Sequence, residues 1–246
     1  MGEYPLLYQE SASKLSKNIK GFKVEWEAEG ATLFDVVDLI RLSERHTLPV
    51  FVKISGYEAM RDLFDLYSLG VTHIIIPMIE SAFGVKKALE AVDAVYSDTT
   101  LKITLTIESI SGVEALPSIL DAFHSRIERI TIGRTDLSRS MGVEANDRSL
   151  LPILEQIINE SKPYTIPIGI GGGISSNICQ DRLFCQLFSF IETRHCIFDT
   201  NTLDPFHIEE ALCFEQAWLE ARIDRQSKQM RHYQNRLIVL KDRSHT

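Results

Sequence analysis

THIIIPMIESAFGVKKALEAVDAVYSDTTLKITLTIES, residues 72 to 109, is the stretch whose reading decides the fold. Its ends, THIIIPM (72–78) and LKITLTIE (101–108), are short apolar runs rich in β-branched residues and read as strands. Between them, residues 82 to 96 place apolar side chains at helical spacing. A strand, a helix-length crossover and a second strand make a parallel βαβ unit, because a hairpin needs only a tight turn.

The same unit recurs on both sides. GFKVEWE (21–27), PVFVKIS (49–55), RITIG (129–133) and IPIGIG (166–171) are further strand candidates, with PLLY (5–8) and FSFIE (188–192) as weaker ones at either end. Helical periods fill the intervals at 33–46, 58–69, 112–124 and 147–161. Eight strands suffice to close a parallel sheet without edges, which predicts a (β/α)8 TIM barrel. An open doubly wound sheet is the alternative, since alternation alone does not dictate closure.

No Pro/Ser linker divides the 246 residues, so the expectation is a single domain over 1–246, with 206–236 as a long C-terminal helical extension. At 1.5 Å per residue that extension spans roughly 45 Å, more than one barrel wall needs. Its second half gathers Arg222, Asp224, Arg225, Lys228 and Arg231, consistent with a solvated tail or with an arm on a second copy in a homo-oligomer.

A formal charge of -8 argues against a nucleic-acid partner, which requires a basic surface. The start MGEYPLLYQESASK carries neither the basic nor the apolar stretch of a signal peptide, and no run of about 18 apolar residues points to a membrane. The four cysteines lack Cys-x-x-Cys spacing, which suits a reducing cytoplasm where they pack as small hydrophobes.

In a TIM barrel, reactive groups sit at the C-terminal ends of strands. TLTIES places Glu108 at one such end, and RITIG runs into RTDLSRSMG, placing Asp136 just beyond the next. Two carboxylates on neighbouring strand ends are hard oxygen donors suited to Mg2+ or Mn2+, although either one alone also fits a helix cap or a surface pair. Glu25, Glu27 and Glu29 alternate with Lys23 on one strand face, and Lys53 lies one strand over. The run Gly169 to Gly173 suits either a tight strand-to-helix turn or a backbone cradle for phosphate. Arg194 is a candidate clamp for a distal carboxylate or phosphate, or one half of an ion pair, and Glu192 and His195 are placed at the same mouth.

KISGYEAMRDLFDLYSLGVTHIIIPMIESAFG, TIESISGVEAL and IGRTDLSRSMG together resemble the HpcH/HpaI aldolase and citrate lyase beta-subunit family, from about Gly21 to Gly142 with weaker continuation. The resemblance implies a divalent-metal-dependent carbon-carbon lyase acting on a 2-oxoacid-type small molecule through a stabilised enolate. Glu108 and Asp136 then hold Mg2+ or Mn2+, Gly133, Thr135, Gly172 and Gly173 line the substrate, and Lys53, Glu27, Glu29 and Arg194 are the candidate catalytic groups. Three departures stand out. Lys53 occupies the place of the family's arginine on its third strand, Gly30 that of its histidine, and the loop after the fourth strand is short. The lost histidine leaves room for other readings: a barrel that binds a metabolite or partner without turnover, or one that acts on a phosphorylated substrate.

Overall fold

A computed structural model describes residues 4–26, 30–96 and 101–244, the helix ends 4–7 and 236–244 as backbone. The sheet is a closed eight-stranded barrel. Its strands are β1 Gly21–Glu25, β2 Val50–Lys53, β3 His73–Ile76, β4 Lys102–Ile107, β5 Arg129–Gly133, β6 Ile168–Gly171, β7 Phe190–Glu192 and β8 Cys196–Asp199. The helices are α1 Tyr4–Leu15, α2 Leu33–His46, α3 Met60–Ser68, α4 Ala82–Val95, α5 Ile110–Phe123, α6 Arg134–Ser140, α7 Leu150–Ser161, α8 Ser176–Gln180, α9 Arg182–Cys185 and α10 Pro205–Ser244. No helix among the described residues is long and apolar enough to cross a membrane.

β1 to β7 run parallel in chain order, but β8 returns antiparallel and pairs with both β7 and β1. The last closure is therefore a hairpin turned over residues 193–195 and not a seventh crossover. This corrects two expectations. PLLY is not a strand: it opens α1, where the buried Tyr8, Ala12 and Leu15 recur at helical spacing and face α10. FSFIE supplies β7, and the closing strand is the CIFD run that follows it. Strand numbers from the sequence consequently drop by one, so Lys53 ends β2.

Residue parity divides the sheet chemically. The outward positions Val24, Val52, Ile74, Ile76, Leu105 and Ile132, with their equivalents elsewhere, join the helices in one continuous apolar core. Three of the helices that follow strands open on a local capping signal. Thr32 forms a capping box with Asp35 on α2, and the Ser81 and Ser109 hydroxyls accept N–H groups at the starts of α4 and α5. The inward positions are different, and they make the site.

Candidate active site

The barrel interior is stratified. Its lower layer is Phe51, Ile75, Phe190 and Ile197, with the Arg129 guanidinium 3.9 Å from the Phe51 ring centroid and 4.8 Å from that of Phe190. Arg129 also donates to Thr104 Oγ1 at 3.2 Å. Gly169 makes this layer possible, since a Cβ there would come within 2.0 Å of the Phe190 ring. With the bottom filled, the polar positions above it face a cavity of about 540 Å3 at the C-terminal ends of the strands.

Two charged groups meet on the walls. On one side Lys23 Nζ lies 3.0 Å from Glu192 Oε2 and 3.5 Å from Glu25 Oε1, while Thr131 Oγ1 donates to Glu192 Oε1 at 3.0 Å. On the other, Lys53 Nζ lies 3.5 Å from Glu108 Oε2, and the Met78 N–H donates to Glu108 Oε1 at 2.9 Å. Register joins the groups, because Glu25 is the cross-strand partner of Lys53. The Thr106 hydroxyl is buried beside them without a hydrogen-bond partner among the described residues.

Burial pushes the Glu25 carboxyl up, but Lys23, Lys53 and Arg194 outweigh it and hold the group below its ordinary value. For Lys23, burial pulls down while Glu192 and Glu25 pull up more strongly, so the ammonium keeps its proton.

Glu108 and Asp136 open onto the same cavity. Ser109, not Glu108, caps α5, which leaves the glutamate free to face the barrel axis. A Cβ on Gly133 would lie 2.5 Å from Glu108 Oε2, so glycine is what gives this carboxylate its room. Met78, whose N–H holds the other oxygen, has φ 50°, a left-handed conformation that costs about 1 kcal/mol or more away from glycine. Asp136 sits in the first turn of α6, is 50% exposed and pairs with Arg139 at 3.0 Å. No cluster of three or more His, Cys, Asp or Glu side chains suited to a metal occurs among the described residues. Glu108 and Asp136 are hard, anionic oxygen donors, a chemistry that would suit Mg2+ or Mn2+.

Lys53, Gly133, Thr135, Gly172, Gly173 and Arg194 all line this cavity. Glu27 and Glu29 lie outside the described residues. Gly172 and Gly173 have φ 89° and 61°, and a Cβ on Gly172 would lie 2.7 Å from Thr135 N. Arg134 fastens that turn by donating to the Gly172 and Gly173 carbonyls at 3.0 and 2.9 Å. Tight turning and close approach therefore account for these two glycines without a bound phosphate.

Gly30 has φ 55°, and its carbonyl accepts from Arg222 at 2.9 Å, away from the cavity-lining set. His195 is not at the mouth either: its Nδ1 lies 2.9 Å from the Lys23 carbonyl and its ring lies against Trp218. Burial holds its imidazole below the usual value.

Sequence reading left Thr106 and Thr131 unassigned and gave Lys23 no role. Period two along β1, β4 and β5 was the available signal, because each lies two residues from an assigned or glycine position on the same strand. Leu212 and Glu215 also reach the cavity from α10, and no strand pattern points to them.

Residues 31–168 match the model of the HpcH/HpaI aldolase/citrate lyase family. Among solved structures, an HpcH/HpaI aldolase/citrate lyase family protein from Burkholderia cenocepacia superposes with TM-score 0.65 at 14% identity, covering 92% of this chain and 90% of that one. Citrate synthase SbnG superposes at 0.61 with 18% identity, covering 89% of this chain and 90% of the other. A Haloferax volcanii malate synthase, in a lead(II) complex, gives 0.59 at 12% identity over 77% of this chain and 62% of its own. At such identities the likeness concerns the fold. No curated protein sequence matches the chain.

Proposed function

Because the chain belongs to the HpcH/HpaI aldolase/citrate lyase family, we propose that it is a carbon-carbon lyase, or the condensing enzyme in reverse, acting on a 2-oxoacid-type substrate. The observation that carries this reading is the convergence of Glu25, Lys53, Glu108 and Asp136 on one cavity at the strand C-terminal ends.

Glu108 and Asp136 would hold a divalent cation, which when bound would supply Lewis acidity to the 2-oxoacid. Lys53 supplies a fixed positive charge where the 2-oxo oxygen gains negative charge, a contribution that is largest in the transition state. Its single ammonium orients that oxygen less strictly than the family's planar arginine fork.

In the cleavage direction the substrate hydroxyl gives its proton to Glu25, the carbon-carbon bond breaks, and its electron pair moves onto the 2-oxo oxygen as an enolate. The released carbonyl compound departs. Glu25 then returns the proton to the enolate carbon, leaving the 2-oxoacid. Condensation is the same sequence reversed, with Glu25 first taking a methyl proton. This assignment gives Glu25 the work of the family's histidine, and its proximity to Lys53 supports it.

Arg194, on the turn after β7, suits a distal carboxylate of the substrate. We place the enzyme in a reducing cytoplasm, as its four free thiols suggest, and as a homo-oligomer through α10. Release of pyruvate or oxaloacetate from a panel of hydroxy-oxoacids, assayed with and without Mg2+ or Mn2+, tests the function. Turnover that depends on added metal is the expected result, and a complete absence of lyase and of pyruvate proton exchange refutes it.

A further inference from the structure

Barrel interiors are normally filled by branched apolar side chains, and the lower layer of this one obeys that rule. Immediately above it three charges are buried together: Lys23 is 7% exposed and Glu192 1%, with Glu25 partly buried beside them. Such groups lose hydration on folding, and apolar replacements of similar volume are frequently no less stable. Stability alone therefore gives weak grounds for an ammonium at position 23.

The geometry supplies a better reason. Both Glu192 oxygens are engaged, one by Lys23 at 3.0 Å and the other by the Thr131 hydroxyl at 3.0 Å, so the glutamate is fixed from two strands. It holds the ammonium from behind. Lys23 in turn lies 3.5 Å from Glu25, two residues along the same strand and facing the cavity. We propose that Lys23 is a positioning residue, anchored by Glu192 and Thr131, that holds the Glu25 carboxylate at the cavity wall beside Lys53 of the neighbouring strand and so prepares it to carry the proton.

This rests on the lyase reading for what Glu25 does, but not for where Lys23 holds it. Glu25 is also faced by the cations Lys53 on β2 and Arg194 after β7. The acids Glu108, Asp136 and Glu215 share the cavity from β4, α6 and α10, and Arg139 sits with Asp136. Of these cations, Lys23 pulls the Glu25 proton off most strongly, consistent with its ammonium lying 3.5 Å from the carboxylate.

The full-length protein is compared with Lys23→Met, Lys23→Arg and Glu192→Gln by two measurements. One is the titration midpoint of the Glu25 carboxyl, followed by NMR on glutamate-labelled protein and assigned with Glu25→Gln. The other is deuterium exchange from solvent into the methyl group of pyruvate, separated into kcat and KM. In Lys23→Met the midpoint should rise by about one to three pH units, the usual effect of losing an adjacent opposite charge. Its kcat should fall by about tenfold or more, the scale of a misplaced proton-transfer group, with KM little changed. Lys23→Arg should restore most of both.

An unmoved midpoint in folded Lys23→Met, or a loss confined to KM, overturns the proposal. If the wild type exchanges no deuterium, the lyase reading fails while the midpoint still decides the placement of Glu25. Should Lys23→Met not fold, Glu192→Gln takes over. There the midpoint should move down as Lys23 turns wholly to Glu25, with kcat falling as the placement is lost, and an unchanged kcat overturns the proposal.

Discussion

Glu108 and Asp136 face one cavity from unequal settings, and the inequality is testable. Glu108 is buried, held by the Met78 N–H and loosely by Lys53, whereas Asp136 is half exposed on α6. Glu108→Gln and Asp136→Asn should each weaken Mn2+ binding in calorimetry by more than about a hundredfold, since changes merely outside the ligand sphere already cost 10- to 100-fold. Unchanged affinity in both removes the metal from this site. Lys53→Ala should lower kcat by about a hundredfold, more than it raises KM, because its charge matters most as the enolate forms. Lys53→Arg should lose less. The pH profile follows from the Glu25 shift: a carboxyl held below its ordinary value stays ionised at neutral pH. Activity should fall only as pH drops below the ordinary glutamate range, and the stability gained from that carboxylate is lost in the same window. An acid limb near neutrality, as imidazole would give, contradicts the assignment. The strand-end rule made Glu108, Asp136 and Lys53 legible in the sequence, because their parity and position are local properties. The pairing of Lys23 with Glu192 was not, since it joins residues 169 apart through the barrel's closure.

Six strands and five helices could be read locally because each has a clear period, helped at α2 and α4 by the cap signals of Thr32 and Ser81. The two ends of the chain could not. PLLY is four residues, too short to distinguish strand from helix until Ala12 and Leu15 extend its period, and CIFD closes the barrel by a hairpin that no βα rhythm predicts. The helix α10 compensates at this seam. Its Trp218 packs on Tyr8 of α1, and its Glu215 accepts the His195 N–H in the β7–β8 turn. Arg222 and Arg225 then reach Asp35 at 3.4 Å each, and Arg225 reaches Asp38 at 3.0 Å. Asp35 is buried and also closes the α2 capping box, so one carboxylate ties α10 to the helix that follows β1. Asp35→Ala removes the acidic half of the capping box and the contacts that Arg222 and Arg225 make with this carboxylate. It should destabilise the fold by about 3 kcal/mol, the scale of breaking a buried ion pair, read as a lower urea midpoint. A change under about 0.5 kcal/mol, the range of ordinary surface substitutions, would show the tie to be ornamental.

Helix α10 is 40 residues long, about 60 Å at 1.5 Å per residue, whereas its last described anchor on the barrel is Arg225. From Leu219 onward the described residues of its own fold leave several of its apolar side chains largely uncovered. Leu219, Ile223, Met230 and Tyr233 are all more than half exposed. Their spacings of four, seven and three residues repeat like the seam of a two-helix coil, and Ile223 and Met230 line one open groove with Ser227 between them. A solvated tail has no need of such a stripe, since an isolated helix in water is held by propensity and by charge pairs such as Lys228 with Asp224. A second copy offers the matching stripe, and closed symmetric pairs are the commonest assemblies. The anchors now say where to cut. Ending the chain after Gln226 keeps Arg222 and Arg225 on Asp35 and Asp38, so the barrel should retain its thermal midpoint. The same cut removes Met230 and Tyr233, and the assembly should fall to a smaller species in light scattering at micromolar concentration. Met230→Glu with Tyr233→Glu in the full chain should do the same, because charge buried without a partner in an apolar seam is strongly disfavoured. A full-length chain that is already monomeric at that concentration excludes the seam.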